Sequence, residues 1–439
     1  MGIIDELKNS FGNKLEEIQQ QKRSQLAADL ETLRSAGMHT VEAGTPQRLA
    51  EAGDTLRQWV ASRPPIAAQV NLAGSGDLRQ LDNHFLNLFK LAKAYPSNLF
   101  NYPTVYCETL EEFFTPIFNQ IDISPQARQV ELARWIEEAQ QKAPGGIFGL
   151  NLPGMGCYLN GWLFVYGRDI PPRAALQDQE LLPYVLATAA HEKLGHGFLS
   201  TYSALGSVKT RLGLTQVEIA QKFGLRSADD PVTRLRREQN DLLFLISQLV
   251  EEGWATWIET FLSATTFKSG KHPRHSLDAV VGAVKELPSE PGDLRDVQNV
   301  LLWALSVLFV PQDVPLEALH QAVQIIDLLG SKLDEFFMTA LRQPLRYAVG
   351  ELLLTQAEAN LGWACVPYVV LAAANVSFDP KQIGLSDLRE LILKDPRLHP
   401  DARLAALSRI HLETPGSVSE LARRAESELS FSVPLEFNN

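Results

Sequence analysis

Residues 241–264 read DLLFLISQLVEEGWATWIETFLSA. Apolar residues recur through this stretch at three- and four-residue steps, which predicts a long α-helix. The apolar run 242–250 indicates that the helix is deeply buried, and Glu251 and Glu252 follow that run directly. Two adjacent carboxylates are costly in such a place unless they are paired or bind a cation. The stretch therefore predicts a helical protein with a charged site in its interior.

Helical periodicity extends over most of the rest of the chain, with long helices predicted at about 179–203, 233–265 and 297–309. Residues 145–169 differ, because they are rich in glycine and aromatic residues and have no helical period. Such a composition predicts one or two short strands with turns. We therefore expect a mainly α fold, with a small β element just before the helix that begins near residue 179.

The net charge argues against polyanionic partners. The 439 residues contain 40 Lys and Arg against 52 Asp and Glu, which gives a net charge of −12. A broad nucleic-acid footprint or a surface for anionic membranes would need the opposite sign. Residues 359–378 carry no charge over about the length of a membrane span, but they include glycine, proline and asparagine. We expect a buried helix there, with no nucleic-acid or membrane partner.

The cysteines indicate a reducing compartment. Cys107, Cys157 and Cys365 are far apart and show no C-x-x-C spacing, which argues against a disulfide scaffold or a thiolate zinc site. The first residues are charged from position 5 onward and lack the apolar core of a secretory signal. The expected location is therefore cytoplasmic.

Residues 191–196 read HEKLGH, an H-E-x-x-x-H pattern that is one residue longer than the zinc motif H-E-x-x-H. Residues five apart in a regular α-helix diverge by about 140°. His191 and His196 can therefore bind one ion only if a π-type turn lies between them. Gly195 is the predicted place of that distortion, because it has no Cβ to resist it. The alternative is two unrelated histidines on one helix.

Glu252 supplies what such a histidine pair lacks. A two-histidine zinc site needs a third ligand, and a glutamate from a separate helix provides it. Gly253, the next residue, would let the metal helix approach closely. These two motifs together predict a site for one Zn²⁺ ion per chain.

The two motifs resemble those of the gluzincin metallopeptidases. HEKLGH is similar to the H-E-x-x-G-H zinc helix of the dipeptidyl-peptidase III family. That family also has a helix with E-E-x-x-x-[ED]; Glu251 and Glu252 match its start, but Thr256 stands where the family has an acid. Residues 252–255, EGWA, resemble the ligand helix of a set of helical bacterial gluzincins. Those proteins also carry Y-x-x-G, which Tyr347 and Gly350 match, but they usually have Pro-Gly where this chain has 194–195, Leu-Gly.

The resemblance implies a role for each matching residue. His191, His196 and Glu252 would be the zinc ligands, and Glu192 would be the general base and then the acid. Glu251 would accept a hydrogen bond from a ligand histidine.

Tyr347 would hydrogen-bond the oxyanion. For Tyr347 the alternative is an ordinary helix tyrosine with its hydroxyl at the surface. Glu259, seven residues after Glu252, falls on the same helix face and is expected to be a solvated charge; the alternative is a group that supports a metal ligand.

The predicted strand also has a place in this scheme. A metallopeptidase holds its substrate extended beside the metal, and an exposed strand edge does so through backbone hydrogen bonds. In gluzincins such a strand precedes the zinc helix. We expect Asn160, Gly161 and Trp162 to form that edge; the alternative is an ordinary core hairpin.

The predicted function is zinc-dependent hydrolysis of short or unfolded peptides. Two alternatives stay open: a helical interaction protein that keeps the zinc site without turnover, and a zinc amidase with a non-peptide substrate. The predicted organisation is a helical N-terminal region (1–95), a gluzincin-like catalytic body (96–375) and a helical C-terminal region (376–439). The sequence gives no prediction of the oligomeric state.

Overall fold

A computed structural model gives the structure of the chain. It describes residues 44–62, 104–107, 109–119, 124–142, 146–152, 156–165, 168–170, 182–199, 247–265, 274–287, 293–310 and 316–363, together with residues 24, 28, 31, 366, 367 and 370.

Helices dominate the described residues, so the prediction of a mainly α fold is confirmed. The α-helices are α1 Thr45–Ser62, α2 Leu110–Phe118, α3 Pro125–Lys142, α4 Leu182–Ala189, α5 Glu252–Thr265, α6 Leu277–Lys285, α7 Asp293–Phe309, α8 Leu316–Lys332, α9 Asp334–Leu341 and α10 Leu345–Leu361. Two π-helices accompany them. One, which we call the histidine π-helix, is Ala190–Gly197 and continues α4; the other is Ser247–Glu251 and leads into α5.

The described strands are β1 Thr104–Tyr106, β2 Gly146–Leu152, β3 Gly156–Val165 and β4 Arg168–Ile170. β3 lies between β1, which is parallel to it, and β2, which is antiparallel. β4 pairs with the end of β3 in antiparallel register. β2 and β3 both contact the histidine π-helix.

The chain divides into two compact units. The first unit contains the described residues up to Arg57 and Ser276–Val349, and in it α7 packs on α8 while α6 packs on α7 and α9. Ser276 caps α6, since its hydroxyl accepts a hydrogen bond from the Ala279 amide at 3.1 Å. Arg57 of α1 forms an ion pair with Asp278 of α6.

The second unit contains Gln58–His275 and the chain from Gly350 onward. Its centre is α5, on which every residue from Gly253 to Ser263 is buried. The rings of Trp254 and Trp257 stack with centroids 5.5 Å apart, and those of Trp257 and Phe261 stack at 4.7 Å. The predicted deep burial of this helix is therefore confirmed for the described residues.

The division into the three regions 1–95, 96–375 and 376–439 stays a prediction. The boundaries near residues 95 and 375 stay predictions, and the predicted C-terminal region 376–439 lies outside the described residues. Among the described helices, none combines the length and the apolarity that a membrane crossing requires.

Candidate metal centre

The helix that carries the two histidines is not a regular α-helix. From Ala190 to Gly197 it is a π-helix, in which hydrogen bonds join residues five apart. This places His191 and His196 one turn apart on the same side, and their ring centroids lie 5.1 Å from each other. The predicted irregularity is confirmed, and it extends over more residues than the single bulge that the spacing requires.

Glu252 faces both imidazoles from α5. Its Oε2 atom lies 3.7 Å from Nε2 of His191 and 3.4 Å from Nε2 of His196. Ligand atoms at about 2 Å from one tetrahedral ion lie about 3.3 Å apart. One nitrogen or oxygen atom from each of the three residues lies within 4.8 Å of the others, so the group could hold a metal ion.

A carboxylate orients each histidine from behind. Nδ1 of His191 lies 2.9 Å from Oε2 of Glu259, and Nδ1 of His196 lies 3.2 Å from Oε1 of Glu251. If each Nδ1–H donates to its carboxylate, each Nε2 lone pair points toward Glu252. Histidines that bind metals in proteins usually have this arrangement, because the outer hydrogen bond fixes the tautomer and the ring orientation. Glu251 is thus within hydrogen-bond distance of His196, and its role toward a metal ligand stays a prediction.

The expectation for Glu259 was wrong. Its side chain was expected to be solvated, but the residue is only 7% exposed and bonds to His191. Glu259 lies two helical turns after Glu252 on the same face of α5. Thr256, which stands where the dipeptidyl-peptidase III family has an acid, is fully buried, and its hydroxyl has no hydrogen-bond partner among the described residues. The carboxylate for His191 thus comes from further along the helix, and its seven-residue spacing from Glu252, which puts both residues on one helix face, was the signal in the sequence.

The ionisable groups of the site shift one another's pKa values. Burial alone would lower the pKa of His191, but the neighbouring carboxylates of Glu252 and Glu259 raise that pKa to about 9. Burial opposes the ionised form of Glu252 as well, yet the charge of His196 and the closeness of both imidazoles hold the pKa of this carboxyl well below its usual value. Burial raises the pKa of Glu192. Four glutamates surround two imidazoles here, an excess of negative charge that favours a cation.

The residues fit a divalent cation in a further respect. Oε2 of Glu252 is buried and has no hydrogen-bond partner among the described residues. A buried carboxylate oxygen without a partner is unfavourable. A cation held by this atom and the two Nε2 atoms would satisfy it. Zinc accepts this mixed nitrogen and oxygen set of three ligands and keeps a fourth position open in catalytic sites.

Glycines permit the close approach of the helices that carry these residues. A Cβ atom on Gly195 would lie 2.5 Å from the Ala255 Cβ, so the histidine π-helix and α5 are in contact at this point. Gly253 was expected to serve that approach, but it faces α10 instead, where its own Cβ would lie 2.5 Å from the Cα of Gly350. The close approach of α5 to the histidine π-helix therefore depends on Gly195 and not on Gly253.

The predicted general base and the predicted substrate strand lie in the histidine π-helix and in β3. Glu192 lies beside His191 in the histidine π-helix. Asn160, Gly161 and Trp162 of β3 pair with Phe148, Ile147 and Gly146 of β2. On this side, then, they are paired and form no free edge, and binding of a substrate there stays a prediction.

Tyr347 lies in the first turn of α10, within the first unit. The guanidinium of Arg346 stands 5.5 Å from the centroid of its ring. Arg346 is itself bonded to Asp334 at 3.1 Å. The role of Tyr347 toward an oxyanion stays a prediction.

Comparison with known proteins finds no match: no family model, no curated protein and no solved structure matches this chain.

Proposed function

We propose that the protein is a zinc-dependent peptidase with a mainly helical, gluzincin-like body and a small β element before the zinc-binding helix. One observation carries the proposal. Two imidazole Nε2 atoms and one carboxylate oxygen converge, while each Nδ1 is held by a separate glutamate. Hydrogen bonds between isolated histidines and glutamates on a surface would not need this second layer of carboxylates.

In this proposal His191, His196 and Glu252 hold one zinc ion per chain. When bound, zinc would polarise the scissile carbonyl and activate the attacking water. Glu192 takes the proton of that water and passes it to the leaving amine. Glu192 suits this role because it neighbours a ligand histidine without being one of the three converging residues.

Two further roles belong to the proposal. Tyr347 would donate its hydroxyl proton in a hydrogen bond to the oxyanion. β3, with Asn160, Gly161 and Trp162, would align an extended peptide through backbone hydrogen bonds. β3 contacts the histidine π-helix, which supports a substrate site beside the metal. Short or unfolded peptides are the proposed substrates, since only an extended backbone can pair with a strand.

Two other functions use the same zinc site. A helical interaction protein would bind zinc without turnover, and an amidase would hydrolyse a non-peptide amide. The departure at Thr256 from the dipeptidyl-peptidase III pattern favours neither, because Glu259 supplies the carboxylate that would otherwise be missing.

The test combines metal analysis with a peptide library. Elemental analysis of the purified protein should give about one zinc per chain, and the His191→Ala variant should lose most of it. The wild type should cleave members of a diverse library of short peptides, and mass spectrometry would identify the products. Stoichiometric zinc without any peptide cleavage would favour the interaction protein, and cleavage of simple amides alone would favour the amidase. Absence of zinc from the wild type, even after incubation with the metal, would overturn all three.

A further inference from the structure

A hydrogen bond joins the two helices that carry the candidate ligands. The indole Nε1–H of Trp254 donates to the backbone carbonyl of Leu194, with a distance of 2.8 Å. Leu194 lies inside the histidine π-helix, two residues before His196. Trp254 lies on α5, two residues after Glu252. The bond therefore joins the backbone beside one candidate ligand to a side chain beside another.

The carbonyl of Leu194 lies where the helix has an unusual hydrogen-bond register. A regular α-helix would bond this carbonyl to the amide four residues on, whereas a π-helix shifts the partner by one residue. The amide of Phe198, which would be the α-helical partner, bonds instead to the carbonyl of Gly195. The indole of Trp254 thus donates a hydrogen bond to the Leu194 carbonyl, to which the Phe198 amide does not donate.

The indole is held rigidly in position. Trp254 is completely buried, and its ring stacks on Trp257 with an interplanar angle of 16°. The ring of Phe198 also packs against the indole, with 5.5 Å between the two ring centroids. The contact between Gly195 and Ala255 fixes the spacing of the two helices next to it. A donor with so little freedom can determine the backbone it bonds to.

We propose that Trp254 is a positioning residue for the metal centre. Its indole N–H stabilises the π-helical register at Leu194 and so determines where His196 presents its Nε2 atom relative to His191 and Glu252. Without this bond the segment can return to the α-helical register, in which His196 points about 140° away from His191. The expected effect of Trp254 on zinc affinity rests on the proposed function. Its expected effect on the hydrogen-bond register of the helix does not.

The chain contains a matched control for this bond. Trp257 is also buried and stacked, but its indole N–H donates to Oε2 of Glu358 at 3.1 Å, on α10. Trp254→Phe and Trp257→Phe each remove one buried indole N–H and keep an aromatic ring. They differ in whether the lost bond reaches the histidine π-helix. A second variant, with a benzothienyl group in place of the Trp254 indole, removes the donor while it keeps the volume.

The experiment has one readout with metal and one without. Zinc dissociation constants from chelator competition should rise about 10–100-fold in Trp254→Phe, the usual effect of losing an outer support of a metal ligand. Trp257→Phe should stay within about threefold of the wild type. In the metal-free proteins, hydrogen exchange should accelerate across Ala190–Leu199 in Trp254→Phe and in the benzothienyl variant, and not in Trp257→Phe.

The outcomes separate this inference from the proposed function. If the wild type binds no zinc, the proposed function fails, and the exchange rates alone decide the role of Trp254 in the helix. If the wild type binds zinc but exchange and affinity are the same in the Trp254 and Trp257 variants, the positioning role is wrong while the metal site stands. If Trp254→Phe does not fold, the benzothienyl variant decides through the same two measurements.

Discussion

Gly195 and Ala255 are in direct contact, because a Cβ atom on Gly195 would lie only 2.5 Å from the Ala255 Cβ and 2.6 Å from its Cα. This contact lies next to His196 on one helix and three residues from Glu252 on the other. The separation of two candidate ligands therefore depends on a position that has no side chain. Any atom added there must push the two helices apart.

We accordingly expect Gly195→Ala to damage both stability and metal binding. Overpacking of a buried contact typically costs about 1–3 kcal/mol of unfolding free energy, and a shift of His196 away from Glu252 should weaken zinc binding about tenfold or more. Urea unfolding and chelator competition measure the two effects. Gly282→Ala on α6 is the control, since nothing lies within 4 Å of its added Cβ; that change should raise stability by up to about 1 kcal/mol. Equal effects of the two substitutions would contradict the importance of the helix contact.

Glu192→Gln should separate catalysis from metal binding. The amide fills the same space but cannot accept the proton of the water, so kcat on a cleaved peptide should fall roughly 10²–10⁴-fold. Zinc content and the unfolding midpoint should stay near those of the wild type. Glu252→Gln is the contrasting variant, because it removes a ligand charge and should reduce zinc retention together with the rate. Near wild-type turnover by Glu192→Gln would refute the role assigned to this residue.

The carboxylates of Glu251 and Glu259 should increase zinc affinity, because they orient His196 and His191. Glu259→Leu removes the acceptor for Nδ1 of His191, and we expect zinc affinity to fall about 10–100-fold. Glu259→Gln keeps an acceptor without the charge and should recover part of the loss. Thr256→Val on the same helix changes a buried hydroxyl that has no partner among the described residues and should leave the affinity almost unchanged. If Thr256→Val and Glu259→Leu had the same effect, the orienting role of Glu259 would be wrong.

Cys107 should be almost unreactive in the folded protein. Burial, with a smaller contribution from the charge of Glu112, raises the pKa of its thiol to about 11, and only the thiolate is nucleophilic. At pH 8 the thiolate fraction is on the order of 10⁻³, and it should rise about tenfold per pH unit up to the pKa. Alkylation of a variant with Cys157→Ser and Cys365→Ser should therefore be at least 100-fold slower in buffer than in urea. Similar rates in both solvents would contradict the burial of Cys107.

The sequence predicted the parts of the site that depend on local spacing. The five-residue step from His191 to His196 required a π-type turn if both rings were to face one point, and the structure has that turn. The position of Glu252 after a buried run indicated a carboxylate in need of a partner. In each case helical geometry within one segment was enough.

The parts that depend on packing between distant segments could not be predicted. Glu259 lies on the same face of α5 as Glu252, but the spacing of residues along a helix does not show whether another part of the chain buries that face. The partner of Gly253 lies on α10, and no local pattern connects Gly253 with Gly350. Trp254 was part of a motif in the sequence, yet only the structure gives the acceptor for its indole N–H.

The contact between Gly253 and Gly350 has a consequence for how this site can be altered. Main chain meets main chain there, and an added Cβ on Gly350 would also meet the carbonyl oxygen of Leu249, in the π-helix that leads to Glu252. A contact between two side chains can be adjusted in small steps, one methyl group at a time. The contact between Gly253 and Gly350 cannot be adjusted in this way, because even the methyl group of alanine is too large for it. Attempts to change the geometry of the candidate ligands in small steps should therefore leave the contact between Gly253 and Gly350 unchanged. Selection for other distances between these ligands should recover substitutions elsewhere on α5 and not at these two glycines.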